Sequence, residues 1–191
     1  MTHDTGHTNI RCFLALTIPK EAQAELASIQ KSLQTHGAKA RWVKADNIHI
    51  TLRFLGNRPV KKIEQITKDL PLFCPNFRPF KITIHTLDGF PDLSNPKVIW
   101  TGISNGSDSI LKIYDRINEG LARLGIPKEH EKFIPHLTLA RCKTSEESLL
   151  TAAAIKKFRI SPVDTEIKAI TFYKSALSSH GPTYETIQTF P

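Results

Sequence analysis

The distribution of apolar residues along the chain switches repeatedly between the period of a strand and the period of a helix. Residues 11–18 form a largely apolar run that predicts a first strand, and Pro19 directly after it suits the first turn of a helix. The next apolar residues recur at intervals of three and four until Gly37, a typical helix stop, and they predict one amphipathic helix. These residues are Ala22, Leu26, Ile29 and Leu33.

Three further helices are predicted by the same criteria. The second starts near residue 59 and is ended by Pro71 and the region from Pro75 to Pro79, because proline disrupts a helix interior. The third has Ser107 as its N-cap and ends near Gly125. The fourth begins at Thr144, whose side chain has the spacing of a capping box with Glu147.

Strands are predicted between these helices, where alternating or continuous apolar runs are bounded by glycine, proline and asparagine. Short connections favour antiparallel pairing. The predicted fold class is therefore α+β, with two pseudo-symmetric lobes whose antiparallel sheets, flanked by helices, face each other across a candidate active-site cleft. The predicted strands cover residues 40–43, 49–56, 80–87, 97–102, 136–141, 167–173 and 184–190.

One short motif occurs twice. Residues 49–56 read His-Ile-Thr-Leu-Arg-Phe-Leu-Gly, and residues 136–141 read His-Leu-Thr-Leu-Ala-Arg. In each copy a hydroxyl follows the imidazole by two residues, so both side chains leave the same face of a strand, roughly 6.5–7 Å apart. A lone His-x-Thr is common by chance and most often structural. Its recurrence in the same apolar context predicts one site, formed by His49, Thr51, His136 and Thr138.

Strict alternation also assigns faces to the residues that complete each motif. It puts Arg53 on the face of His49 and Phe54 on the opposite face, so Phe54 is assigned to the core in preference to a base-stacking role. In the second motif it puts Arg141 on the face opposite His136. A bulge or twist at that strand end would turn Arg141 towards the histidine instead.

Composition narrows the class of protein. Apolar residues make up 40% and charged residues 23% of the 191 residues, as in ordinary globular domains. We expect one domain over residues 10–191, preceded by a flexible tail at residues 1–9. No apolar run has the length of a membrane span and the polar start lacks a secretion signal, which predicts a cytoplasmic protein with no membrane partner. No obligate protein partner is predicted.

The chain carries a net charge of +8, from 26 Lys and Arg against 18 Asp and Glu. Such a surplus attracts polyanions such as nucleic acid, although many soluble proteins are basic without binding it. Charge therefore favours an RNA or DNA partner without identifying one.

The remaining histidines and the cysteines form no second site in the sequence. His3 and His7 belong to the predicted tail. His85 is a strand residue without a partner motif, and His180 is assigned to a turn. The three cysteines are widely spaced and are interpreted as reduced, mostly buried thiols. They are Cys12, Cys74 and Cys142.

Two imidazoles can act as acid and base in one reaction near neutral pH, because one can be neutral while the other is protonated. Hydrolysis of a phosphodiester needs both functions: the neutral imidazole takes a proton from water, and the imidazolium protonates the departing alkoxide. The two threonine hydroxyls can donate to the non-bridging phosphate oxygens, and a nearby arginine adds charge-assisted hydrogen bonds.

Metal binding is the main alternative chemistry for paired histidines. A metal site needs three or four ligands, and neither motif supplies a carboxylate or a second histidine at ligand spacing. The sequence also lacks a glycine-bounded nucleophile turn and a glycine-rich phosphate loop. We therefore expect neither a metal nor a cofactor.

These residues together resemble the RNA 2′,3′-cyclic phosphodiesterases, also described as 2′-5′ RNA ligases, of the two-histidine phosphoesterase superfamily. Besides the two motifs, the resemblance rests on Trp100 in Lys-Val-Ile-Trp-Thr-Gly and on Phe-Tyr-Lys-Ser at residues 172–175, followed by Gly-Pro and Tyr184. It extends over residues 11–191. It implies a bilobal α+β fold and metal-free opening of a terminal cyclic phosphate on RNA to a 2′-phosphate.

The resemblance also implies roles for individual residues. His49 corresponds to the proton donor and His136 to the acceptor, an order that the sequence by itself does not establish. Arg141 matches the family's arginine after the second motif, which makes it a substrate-binding residue together with Thr51 and Thr138. The implied partner is an RNA or oligonucleotide end bearing a cyclic phosphate.

Two other functions remain open at this point. One is ligation or cleavage of 2′-5′ linkages, or hydrolysis of a small nucleotide cyclic phosphate, by the same four residues. The other is a non-catalytic RNA-binding module. The second complete motif counts against the binding module, because binding alone does not require a paired acid and base.

Overall fold

The fold is described by a computed structural model that covers residues 9–179 and 181–191. The predicted turn residue His180 and the predicted tail residues His3 and His7 therefore lie outside the described residues. Asn9, which was assigned to the tail, is already the first residue of a strand.

Nine strands and four α-helices follow one another in the described part of the chain. The helices are α1 (Lys20–Thr35), α2 (Val60–Phe73), α3 (Ser107–Arg123) and α4 (Ser145–Lys157), and one 3₁₀ turn covers Ala45–Asn47. The strands are β1 (Asn9–Thr17), β2 (Arg41–Trp42), β3 (His49–Pro59), β4 (Phe80–Phe90), β5 (Val98–Asn105), β6 (His136–Arg141), β7 (Val163–Ile167), β8 (Ile170–Ser178) and β9 (Gly181–Phe190).

Local sequence signals predict some of the helix boundaries correctly and others not. The predicted capping box is present, because Thr144 Oγ1 accepts from the backbone N–H of Glu147 and the Glu147 carboxylate accepts from the backbone of Thr144. The second helix continues past Pro71 and ends at Phe73, before the predicted proline region that begins at Pro75. Proline in the last turn removes a single helical hydrogen bond, which a well-buried helix tolerates.

The predicted N-cap of α3 is wrong. Gly106 occupies that position with φ of 85°, and the Ser107 hydroxyl donates to the carbonyl of Ile103 instead. A side chain on Gly106 would collide with the backbone of Lys81, so both the conformation and the close approach require glycine here. One strand was missed altogether: β7 precedes β8 with only Lys168 and Ala169 between them, and no glycine or proline marks this turn.

The strands form one antiparallel sheet with the order β7-β4-β5-β6-β3-β1-β8-β9, and β2 pairs with the free edge of β6. The α+β class is confirmed, but the two expected sheets are one. They meet where β3 pairs with β6 through the single register pair Ile50 and Leu137. No other register pair joins β3 and β6 in the described part of the chain. Because the sheet continues through both halves, we propose that residues 10–191 form one domain.

The lobes do not correspond to the two halves of the sequence. The last two strands, β8 and β9, return to pair beside β1, and β2 from the first half pairs with β6 of the second. Helices α2 and α3 pack together behind β3, and α1 packs with α4 and contacts β7. Their apolar side chains and the inward side chains of both motif strands share one core, which leaves the opposite face of the sheet free for a cleft.

The cysteines lie in or beside this core, as predicted. All three are buried and free, and burial raises the pKa of each thiol, for Cys12 to about 11. No helix in the described part of the chain combines the length and apolarity needed to cross a bilayer.

Candidate active site

A cavity of about 690 Å³ lies over the junction of the two motif strands. The structure brings together every site residue predicted from the sequence, because all five line this cavity. They are His49, Thr51, His136, Thr138 and Arg141.

The register of the junction pairs the two motifs crosswise. Ile50 of β3 and Leu137 of β6 are antiparallel partners and point into the core. One residue to either side of this pair, His49 therefore lies across from Thr138, and Thr51 lies across from His136. The two His-Thr pairs are related by an approximate twofold axis through the junction, so each imidazole has a hydroxyl of its own strand and one of the other strand nearby.

A bulge in β3 changes which residues face the cavity. Thr51 pairs with Ala15 of β1, but the next partner of β1 is Arg53, so Leu52 is inserted without a partner. The alternation shifts by one residue at this point. Phe54 turns onto the cavity face and is 60% exposed, while Arg53 also lines the cavity but is only 6% exposed. The expectation that Phe54 lies in the core is therefore wrong, whereas Arg53 lines the same cavity as His49.

The second motif contains a β-bulge at the equivalent position. Trp100 of β5 pairs with Thr138 and Ile99 pairs with Ala140, which leaves Leu139 as the inserted residue. Ala140 is buried, and Arg141 follows it onto the cavity face, in the position that Phe54 occupies in the first motif. Strict alternation would have put Arg141 in the core, and the bulge is the reason that it lies beside the histidines.

A buried amide on α1 holds this second bulge in place. Gln30 is 5% exposed, and its Nε2 donates to the carbonyl oxygens of Val43 and Leu139 at 2.9 and 2.8 Å. The backbone N–H of Val43 donates to the same Leu139 oxygen at 2.9 Å. The carbonyl that the bulge removes from the regular ladder thus has two donors, which satisfies the requirement for buried polar groups.

His49 is oriented by hydrogen bonds at both ring nitrogens. Nδ1 lies 2.7 Å from the carbonyl of Asn47 and must donate to it, so Nε2 of the neutral ring is an acceptor for the Thr51 hydroxyl at 3.0 Å. Burial lowers the pKa of His49 to about 4, the Asn47 carbonyl opposes this shift, and His136 adds to it. In the free protein His49 is therefore neutral at physiological pH.

His136 has the same backbone anchor. Its Nδ1 donates to the carbonyl of Ile134 at 2.8 Å, which leaves Nε2 directed away from the backbone. Burial lowers the pKa of His136 below its ordinary value, the Ile134 carbonyl opposes the shift, and the positive charge of Arg141 adds to it. Both imidazoles are thus easier to keep neutral than a histidine in water.

Aromatic side chains from neighbouring strands support each imidazole. Phe13 of β1 stacks on His49 with ring centroids 5.0 Å apart, and it stacks on Tyr173 at 5.2 Å. On the other side Phe90 contacts the edge of His136 at 5.1 Å. These contacts restrict the ring orientations of both imidazoles.

The segment between α3 and β6 forms one wall of the cavity and is tied down by Arg53. The Arg53 guanidinium donates to Asn118 of α3 at 2.9 Å, to the carbonyl of Pro127, and forms an ion pair of 3.3 Å with Glu129. Further along this wall Phe133 stacks face to face on Tyr114, with ring centroids 4.0 Å apart.

The tip of the β8–β9 hairpin closes the opposite end. Asn47 Nδ2 donates to the carbonyl of Pro182 at 3.0 Å, while its own carbonyl accepts from His49. Asn47 therefore joins the hairpin tip to the imidazole. His85, interpreted as structural, is exposed on β4 and does not line the cavity.

Several residues that line the cavity or support its imidazoles carry no signal in the sequence. Asn47 resembles an ordinary turn residue, and Phe13 resembles any core residue of a strand. Trp42 and Arg41 lie on a strand of two residues. Within the described residues, no three His, Cys, Asp or Glu side chains are grouped so that they could hold a metal ion.

The chain matches the family model of the 2′-5′ RNA ligase superfamily over residues 18–178. It is 34% identical over 181 residues to an RNA 2′,3′-cyclic phosphodiesterase of Methanocaldococcus jannaschii, covering 94% of this chain and 99% of the relative. A protein of the same name from Thermotoga maritima is 29% identical over 178 residues, which are 93% of each chain. The crystal structure of TT0787 of Thermus thermophilus has the same fold, with a TM-score of 0.75 at 23% identity over 95% of this chain and 97% of that one. The resemblance inferred from the two motifs is confirmed, and the chain belongs to the 2′-5′ RNA ligase superfamily.

Proposed function

We propose that the protein is a metal-independent phosphodiesterase that opens a terminal 2′,3′-cyclic phosphate on RNA to a 2′-phosphomonoester. The observation that carries this proposal is the crosswise arrangement of two His-Thr pairs in one cavity. Relatives that match nearly the whole chain are named RNA 2′,3′-cyclic phosphodiesterases, and the chain is an enzyme of this type.

In the proposed reaction a water molecule attacks phosphorus and gives its proton to the neutral imidazole of His136. The bond between phosphorus and O3′ breaks with its electron pair on oxygen, and the imidazolium of His49 supplies the proton that makes the 3′-hydroxyl. One water is consumed and one phosphomonoester remains at O2′. The two histidines finish with their protonation states exchanged, and solvent restores them.

Thr51, Thr138 and Arg141 would bind the non-bridging oxygens, where negative charge grows as water adds. In the free protein the Thr51 hydroxyl donates to Nε2 of His49. Protonation of this nitrogen would release the hydroxyl hydrogen, which could then turn to a phosphate oxygen. Protonation of His49 would therefore coincide with a hydrogen bond from the Thr51 hydroxyl to the phosphate.

The pKa values of the two histidines in the free protein set a condition for this mechanism. His49 is hard to protonate before substrate binds, because its pKa is lowered to about 4. A bound phosphate anion raises the pKa of a neighbouring imidazole, since opposite charge favours the charged form. Substrate binding would thus create the acid that the reaction needs.

This condition gives a prediction for the pH dependence. Above the pKa values of both histidines the free protein carries two neutral imidazoles, so kcat/KM should fall as pH rises through and beyond 6.5. Its maximum should lie between about 4 and 6.5. The maximum of kcat should lie at higher pH, because it reports the complex with phosphate bound. Profiles measured from pH 4 to 9 test this, and a kcat/KM that still rises between pH 7 and 9 would contradict it.

A chelator should not affect turnover. Both proton transfers and the stabilisation of phosphate are assigned to side chains, so activity after dialysis against excess EDTA should equal that of untreated protein. Loss of activity that a divalent ion restores would show that the assignment is incomplete. A metal-dependent phosphatase treated in the same buffer serves as the positive control for chelation.

The direct test of the activity uses an oligoribonucleotide that ends in a 2′,3′-cyclic phosphate. The purified protein should convert it into the 2′-phosphate, identified against 2′- and 3′-phosphate standards by ion-exchange chromatography. Formation of the 3′-phosphate, or no reaction, would refute the proposal. We further propose a cytoplasmic location, which three buried free thiols favour because disulfides are rare in reducing compartments.

A further inference from the structure

Two arginines lie side by side at one end of the cavity. Arg41 of β2 is the register partner of Arg141 on β6, and both side chains line the cavity. Like charges directly opposite each other on neighbouring strands destabilise a sheet. Within residues 9–179 and 181–191, neither guanidinium has an acidic partner or a hydrogen bond that would relieve this repulsion.

The position of Arg41 is defined by the hairpin tip. A Cβ on Gly181, where φ is 108°, would lie 2.8 Å from Nη2 of Arg41, so the guanidinium rests against this glycine. Lys44 follows three residues later, also lines the cavity and has no ion pair among the described residues. This end of the cavity thus presents three cations that protein carboxylates do not neutralise.

The other end of the cavity differs, because its charges balance. The wall before β6 contributes Glu129, which is paired with Arg53, and Glu131, which is followed by Lys132; all four residues line the cavity. Phe54 and Phe133 lie at the same end. Strand β6 runs from His136, next to this balanced and aromatic end, to Arg141 at the basic end, roughly 17 Å along the strand.

We propose that Arg41, with Lys44, binds the phosphate group next upstream of the cyclic phosphate, so that the enzyme prefers the end of an RNA chain to a single nucleotide. This inference rests on the proposed function. With the cyclic phosphate at the histidines, the chain of phosphates continues towards the basic end, because its three cations have no carboxylate partner, whereas Arg53 and Lys132 balance the two carboxylates at the other end. The terminal base then lies towards Phe54 and Phe133, where no charge has to be matched.

The test compares two substrates that share the same terminal group. One is a mononucleoside 2′,3′-cyclic phosphate without a 5′-phosphate, and the other is a trinucleotide ending in the same nucleoside. The ratio of their kcat/KM values should exceed one for the unaltered protein. Arg41→Ala should lower this ratio about tenfold, as expected for loss of one charge-assisted contact to phosphate. The Lys44→Ala variant should lower it in the same direction.

Lys112→Ala provides the matched control, because Lys112 is an exposed residue of α3 outside the cavity, so its loss removes the same charge and should leave the ratio unchanged. Salt dependence gives a second readout. The slope of log kcat/KM against log salt for the trinucleotide should become shallower by about 0.7 in the Arg41 variant, the value for one phosphate on a single strand.

The outcomes separate this inference from the function on which it rests. Hydrolysis of both substrates with a ratio near one, or an equal loss on both in the Arg41 variant, would overturn the upstream site and leave the phosphodiesterase activity intact. Failure of the unaltered protein to open either substrate would refute the activity itself. A smaller ratio with an unchanged salt slope would also overturn the inference, since it would assign the loss to something other than phosphate.

Discussion

Alanine in place of His136 should lower kcat/KM for a 2′,3′-cyclic phosphate by about 10²–10⁴-fold, the usual contribution of one positioned acid or base. The same loss is expected for His49→Ala. Each replacement removes one of the two proton transfers, and the remaining imidazole cannot supply both. If the family's roles apply, His136→Ala flattens the acidic limb of the pH profile and His49→Ala flattens the basic limb.

His85→Ala is the matched control, because His85 is an exposed histidine on β4 outside the cavity. It should retain the activity of the unaltered protein. Circular dichroism and thermal unfolding should show that all three variants are folded. Activity within a few-fold of the unaltered protein in either active-site variant would refute the two-histidine mechanism. Limbs lost in the reverse order would refute only the assignment of donor and acceptor.

Removal of a threonine hydroxyl should have the second-largest effect. Thr138→Val keeps the shape of the side chain and removes its donor, so a loss of about 10²–10³-fold in kcat is expected, as for one donor to a developing oxyanion. Thr138→Ser should restore most of the activity, because it returns the hydroxyl without the methyl group. Equal activity in the Val and Ser variants would show that the hydroxyl does not contact the transition state.

Thr51→Val, the corresponding change in the first motif, should have an additional effect on the pKa of His49. Thr51 Oγ1 also donates to Nε2 of His49, and loss of this donor removes a bond that stabilises the neutral ring. Thr51→Val should therefore lower kcat and also raise the pKa of His49. An NMR titration of the histidine ring in the two valine variants measures this difference, and equal His49 titration curves would contradict it.

The sequence revealed those parts of the site that depend on local pattern. The recurrence of His-x-Thr at the start of two strands identified four residues, and alternation placed each threonine on the face of its histidine. Both relations depend only on the two-residue period of a strand, which the backbone imposes. The capping box at Thr144 could also be predicted, because it depends only on residues three positions apart.

The bulges at Leu52 and Leu139 could not be predicted from the sequence. They determine which residues beyond the two His-Thr pairs line the cavity. An inserted residue depends on the register of the neighbouring strand and on donors such as Gln30, which is distant in sequence. Without the bulges Phe54 and Arg141 would both have faced the core instead of the cavity. The sequence also did not predict that the two sheets are joined into one, because a single register pair between β3 and β6 joins them.

A double-mutant cycle on the two histidines tests the central claim most directly. The values of kcat/KM for the unaltered protein, His49→Ala, His136→Ala and the double variant are measured with one cyclic phosphate substrate. If the imidazoles act as one acid and base pair, the double replacement should cost much less than the product of the two single losses. A double variant whose loss equals that product would contradict the pair, because it would mean that the two histidines contribute independently.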